Sequence, residues 1–229
     1  MPDRGDEICV LDAVICVHFV GANLHPLLID VLTKAGLVLL VPHEVCEEVA
    51  GKDGKYPGLR QRWARLAASG RIEVLPALEL ATAAPRVVEV IEEIRGLDLE
   101  QAVRARRDLG EVVVVAHSVH LAELGHEVIA ALDDQEGQRL AARWNIPVLS
   151  IEDVLTLAIE LGHFPSIAEL RRGYARLRAF GDGLVPLEKT SLVEVHRRWL
   201  RTDATARVPA QVEEAGPSQG GTPPASGPQ

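Results

Sequence analysis

Aromatic side chains are scarce in this chain, as are cysteines, and positive charge is not in excess. Phe, Trp and Tyr make up 3% of the 229 residues, so Val, Leu, Ala and Ile must build the core. The three cysteines, Cys9, Cys16 and Cys46, are odd in number, widely spaced and free of any CxxC pair. That excludes a disulfide or zinc framework and leaves free thiols of a reducing compartment. Net charge is -9, from 24 Lys and Arg against 33 Asp and Glu. A simple basic surface for nucleic acid is therefore excluded. An acidic chain can still act on nucleic acid where metal ions neutralise part of its charge. No apolar run reaches membrane-spanning length without a charge, and MPDRGDE lacks a secretory pattern. The expectation is a soluble, cytoplasmic protein. No G-x-G-x-x-G or Walker pattern occurs, and no Ser or Cys sits in a strand-to-helix elbow.

The most informative stretch that is present is ICVLDAVICVHF, residues 8–19. Asp12 is its single acid. A lone ionised carboxylate in an apolar interior is costly unless something pairs with it. Asp12 therefore either caps the helix that follows a strand or holds a metal ion at the mouth of a sheet.

The chain alternates short apolar runs with segments of helical period. Strands are predicted at 8–12, 37–42, 70–76, in HEVIAALDD before Asp133, and in IPVLS at 146–150. Helices are predicted from 13 to about 19, then over 25–36, 43–51, 59–70, 85–95, 98–108, 109–125, 135–145 and 151–162. The segment at 109–125 contains Val112 to Val115 in a row, yet it runs past strand length and is predicted helical. Ser150 and Asp153 form a capping box, as do Ser166 and Glu169. This order predicts an α/β fold, a three-layer α/β/α sandwich around a parallel sheet of about five strands. After Gly162 no strand follows. Residues 166–201 read as a helical appendage, and the Pro/Gly-rich residues 202–229 as a disordered tail.

In such a sheet the acids collect at one edge. Asp12 ends the first strand, Glu47 and Glu48 follow the second, Glu111 opens the long helix, and Asp133 and Asp134 end the strand after it. Open α/β sheets place their sites at the carboxyl ends of strands. Clustered carboxylates repel one another and call for cations between them; an all-oxygen set suits Mg²⁺ or Mn²⁺. The chemistry such a cluster supports is metal-dependent phosphodiester hydrolysis. Each acid also has a structural role open to it: Asp12, Asp133 and Asp134 as helix caps, Glu48 and Glu111 in first turns favoured by the helix dipole. His117 and His120 lie three apart but lack further zinc ligands at suitable spacing. His43 stands near the second acid group. Arg60, Arg62 and Arg65 share a helix with Trp63; Arg171, Arg172, Arg176 and Arg178 surround Tyr174; Arg139 follows Asp133 and Asp134. These are candidates for phosphate or base contact.

The segments VLDAV (10–14), VPHEVCEEV (41–49), LGEVVVVAHSVHLAELG (109–125) and LDDQEGQRLAARWNIPVLS (132–150) resemble the PIN-domain ribonucleases. The branch concerned is bacterial, related to toxin nucleases and of the domain-of-unknown-function type. The resemblance covers about residues 8–165 and implies a PIN-like nuclease domain over 1–165. It implies Asp12, Glu48, Glu111 and Asp133 as catalytic metal ligands, with Asp134 assisting and Glu47 the less favoured neighbour of Glu48. It further implies Mg²⁺ or Mn²⁺ as cofactor, single-stranded or structured RNA as substrate, a homodimer, and a small antitoxin as partner of a toxin. The alternative is a PIN-fold protein that binds protein or RNA without cleaving it. Ala13 and Val14 stand where the family often has a hydroxyl residue after its first aspartate.

Overall fold

The structure, a computed structural model, describes residues 5–206 except 106 and 182, and side chains as far as Thr202. Five strands form one sheet: β1 (Glu7–Leu11), β2 (Leu37–Val41), β3 (Glu73–Val74), β4 (Glu127–Ala131) and β5 (Val148–Leu149). All pairings are parallel and the order is β3-β2-β1-β4-β5. Central strand β1 is buried from Ile8 to Leu11, as a strand covered on both faces must be. Chain order runs outward from β1 in both directions, so the switch point lies between β1 and β4. There, connections leave toward opposite sides and open a crevice beyond the strand ends.

Eleven helices are described around the sheet: α1 (Ala13–Gly21), α2 (His25–Lys34), α3 (His43–Gly51), α4 (Leu59–Ala67), α5 (Pro85–Arg95), α6 (Leu99–Arg104), α7 (Leu109–Glu123), α8 (Gln135–Arg143), α9 (Ile151–Glu160), α10 (Ile167–Arg178) and α11 (Leu192–Ala206). Helix α7 packs on β1, β4, α3 and α5. Val112 to Val115 are all buried there. Burying a valine is worth about 1.5–3 kcal/mol, whereas its helix penalty is at most about 0.7 kcal/mol, so packing decides the conformation. The result is a mixed α/β architecture with a five-stranded parallel sheet flanked by helices.

Several elements differ in extent from the sequence expectation; β5, for one, spans Val148–Leu149 rather than 146–150. Strand β3 spans two residues rather than 70–76, because it pairs only with the end of β2. Helix α6 stops at Arg104, and Asp108, at φ 53°, turns the chain left-handed into α7. Helix α11 continues to Ala206, into the segment expected to be disordered. The remainder of the expected tail, 207–229, lies outside the described residues.

The appendage is fastened to α1. The Phe180 ring lies over Gly21, and Arg176 donates to the Ala22 carbonyl. Buried His18 has Nδ1 2.8 Å from the Leu177 carbonyl. A carbonyl only accepts, so Nδ1 carries the proton. A Cβ on Gly21 would stand 2.5 Å from Phe180 Cδ1, too close for any real contact. Overpacking of this kind costs about 1–3 kcal/mol, against about 0.5–1 kcal/mol gained by replacing a helical glycine. We expect G21A to lower the unfolding free energy by about 1 kcal/mol net, read as a lower urea midpoint; an unchanged or raised midpoint would contradict the contact.

Candidate functional site

Asp12 leaves the sheet at the switch point. Its backbone N–H still donates to the Ala131 carbonyl at 3.1 Å, extending the β1–β4 ladder by one bond. Its side chain then turns to cap α1, accepting from the Val14 N–H at 3.1 Å. The cap and the metal-ligand readings of Asp12 are thus compatible: one oxygen serves the helix, and the group remains at the crevice. Only 2% of Asp12 is exposed.

Glu48 arrives from α3 and meets Asp12 across Gly110. A Cβ on Gly110 would lie 2.8 Å from Glu48 Oε2 and 3.4 Å from Asp12 Oδ1, so both carboxylates crowd one bare stretch of α7. Glu111, in the first turn of α7, reaches over the start of α8. A Cβ on Gly137 would lie 3.3 Å from its Cδ. Asp134 caps α8 through Oδ2, which accepts from Glu136 N–H at 2.6 Å and Gly137 N–H at 3.1 Å. Two glycines therefore make room for three acids, Asp12 and Glu48 at Gly110 and Glu111 at Gly137.

The electrostatics agree with that geometry. Burial pushes Asp12 up to about 6, opposed by the Val14 and Ala13 amides and reinforced by the charges of Glu48 and Asp134. Burial, then Asp134, Asp12, Asp108 and Glu136, push Glu111 up to about 7. Carboxylates that cannot all ionise together are what a shared cation would relieve. Lys52 supplies part of that charge, its Nζ 3.5 Å from Glu48 Oε1.

The neighbouring acids take other positions. Asp133 accepts from the Ile151 N–H at 2.9 Å, at the start of α9. Burial raises its pKa, the Ile151 bond and His18 oppose this, and the charges of Asp153 and Asp134 reinforce it. It lines a separate hollow with Tyr174 and Val185. Asp134 thus caps α8, near enough for its charge to act on Asp12 and Glu111, and Asp133 accepts from the first residue of α9. Glu47 pairs with His43, Oε1 to Nε2 3.7 Å, away from Asp12. Glu48 is the member of the pair at the crevice.

A pocket of about 280 Å³ is lined by Asp12, Glu48, Lys52, Arg107, Asp108 and Glu111, among others. Sequence reasoning passed over Lys52, Arg107 and Asp108. Lys52 was readable as the i+4 partner of Glu48. Asp108 carried a weaker sign, since Asp is one of the few side chains that tolerate a left-handed backbone. Other candidates fall elsewhere. Trp63 and Tyr174 are buried, so neither offers an open face to a base. Arg139 bonds Gln135 on the exposed face of α8. His117 is buried and pushed down to about 4, mainly by that burial. All three cysteines are free.

The donors are all oxygens, which fits Mg²⁺ or Mn²⁺ in type. Among the described residues, no three His, Cys, Asp or Glu side chains stand ready-arranged around a single metal position. Also among the described residues, no helix is long and apolar enough to cross a membrane. Neither a family model nor a curated protein matches the chain.

Proposed function

We propose that the chain is a PIN-like, metal-dependent endoribonuclease. The observation that carries this reading is the pocket at the switch point that Asp12, Glu48 and Glu111 line together, with Asp12 held at about 6 and Glu111 at about 7. Asp12, Glu48, Glu111 and Asp133 would hold Mg²⁺ or Mn²⁺, with Asp134 assisting from the cap of α8. The ion would lower the pKa of an attacking water and offset charge on the phosphate. The chain's own residues do the rest. Gly110 and Gly137 let the carboxylates approach, Asp12 is locked by its cap, and Lys52 and Arg107 offer positive charge to an RNA backbone. Hydrolysis in line with a 3′ leaving oxygen would give 5′-phosphate and 3′-hydroxyl ends. Cytoplasmic location, a homodimer and a small antitoxin belong to the same proposal; light scattering at several concentrations tests the dimer.

The Lys52–Glu48 pair favours one competing reading, a fold that binds RNA or protein without cleaving it, because a lysine already sits at one carboxylate. A calorimetric titration with Mn²⁺, paired with cleavage of a mixed RNA pool, separates the two. We expect saturable Mn²⁺ binding and chelator-sensitive cleavage. Neither heat of binding nor cleavage at millimolar Mn²⁺ would leave the binding-module reading in place.

A further inference from the structure

Beyond Val14, Glu48 and Lys52 the crevice opens into a second pocket of about 210 Å³, formed in part by the appendage. Its wall includes His18, Lys55, Tyr56 and Gly181. The appendage fixes that wall. Gly181 N–H donates to the Tyr56 hydroxyl at 2.7 Å, across 125 residues of sequence. Phe180 packs on the Tyr56 ring with centroids 5.5 Å apart. Gly181 has φ +84°, and a Cβ there would be 2.5 Å from His18 Nε2. Only glycine closes the pocket so tightly against a buried imidazole. Lys55 Nζ lies 5.3 Å from the Tyr56 ring centroid.

We propose that this pocket binds the nucleotide adjoining the phosphate that is cut, with Lys55 and Lys52 meeting its phosphate and Tyr56 meeting its base. The proposal rests on the ribonuclease reading for the meaning of "adjoining". The pocket itself argues for a small, anionic, aromatic unit. It is smaller than a typical site for a drug-sized ligand, which spans roughly 300–1,000 Å³. It holds two ammonium groups beside an aromatic ring, the combination that single strands use, stacking on one and tracking the other. It shares Val14, Glu48 and Lys52 with the acidic pocket, so one strand can occupy both. The acids alone would repel that strand; the lysines next to them set where it lies.

The test is binding of a fluorescein-labelled mixed-sequence octaribonucleotide, followed by anisotropy in Mn²⁺. D12N is used as the background so that the strand stays whole. Adding K55E should weaken binding about tenfold, and adding Y56A about fivefold or more, the lower range for losing one stacked base. Y56F, which keeps the ring, should stay within about twofold. R197E makes the same charge change on α11, outside the pocket, and should cost less than about threefold. Equal losses for K55E and R197E, or no loss for K55E, would overturn the subsite. So would an octamer that D12N does not bind. Wild-type cleavage is read separately. RNA left uncut but bound through Lys55 overturns the enzyme reading and keeps the subsite. Cleavage whose KM is unmoved by K55E overturns the subsite and keeps the enzyme.

Discussion

Replacing Asp12 with asparagine is expected to reduce RNA cleavage by at least about a hundredfold while stabilising the metal-free protein. Partners of metal ligands already cost up to roughly a hundredfold when removed, and a ligand itself should cost no less. The stability gain follows from burial. The folded chain holds Asp12 at about 6 against a reference of 3.8. At about 1.4 kcal/mol per pKa unit, ionising it costs on the order of 3 kcal/mol. Between 3.8 and about 6 the folded state keeps a proton that the unfolded chain has lost. Stability of the metal-free wild type therefore falls as pH rises through that window, and Glu111 extends the fall toward about 7. D12N lacks the Asp12 part of this loss, so its advantage should open across the window and stay constant above it. Asparagine caps helices nearly as well as aspartate, so α1 keeps its start. Thermal melts in chelator across this range, with cleavage assayed in Mn²⁺, test both halves. A D12N protein less stable than wild type at neutral pH would show that the carboxylate is needed for the fold and that its buried charge is not the dominant cost. Mn²⁺ should reverse the order by binding the folded wild type.

The second large effect is expected from G110A. A methyl group on α7 at this point would stand 2.8 Å from Glu48 Oε2. That oxygen ends a flexible side chain, so Glu48 moves rather than the backbone. Alanine at a helical glycine adds roughly 0.5–1 kcal/mol of stability. The expected result is a protein that melts higher and cleaves about tenfold to a hundredfold less, with D12N unaffected by the added change. Loss of activity together with loss of stability would mean that the helix, not Glu48, had been displaced.

How much of this was legible in the chain depends on the distance over which each signal acts. The strand at 8–12 and the helix after it were readable because ICVLDAVICVHF changes period at Asp12, and a carboxylate in an apolar run has few roles. The helix through Val112 to Val115 was readable from its length, although its valines spoke against it. The division of labour between Asp133 and Asp134 was not. Both follow β4, and which one caps α8 and which accepts from α9 depends on how the chain turns into α8 and on where α9 presents its Ile151 amide. The pocket wall was hidden for a similar reason. Tyr56, His18 and Gly181 are far apart in sequence, and nothing local in KDGKYPG says that a loop from the appendage will close over it.

Asp12 has two employments, and so has Asp134: each starts a helix as well as facing the crevice. Asp133 likewise anchors α9. Glu48 and Glu111 stand inside their helices, α3 and the first turn of α7. In a lineage that had given up cleavage, selection for folding alone would go on retaining the aspartates, or exchanging them for other capping residues. The two glutamates and Gly110 would be released to drift. On the proposed ribonuclease reading, descendants of this chain would thus lose cleavage from the glutamate side first, and an intact set of aspartates would be a poor witness of activity.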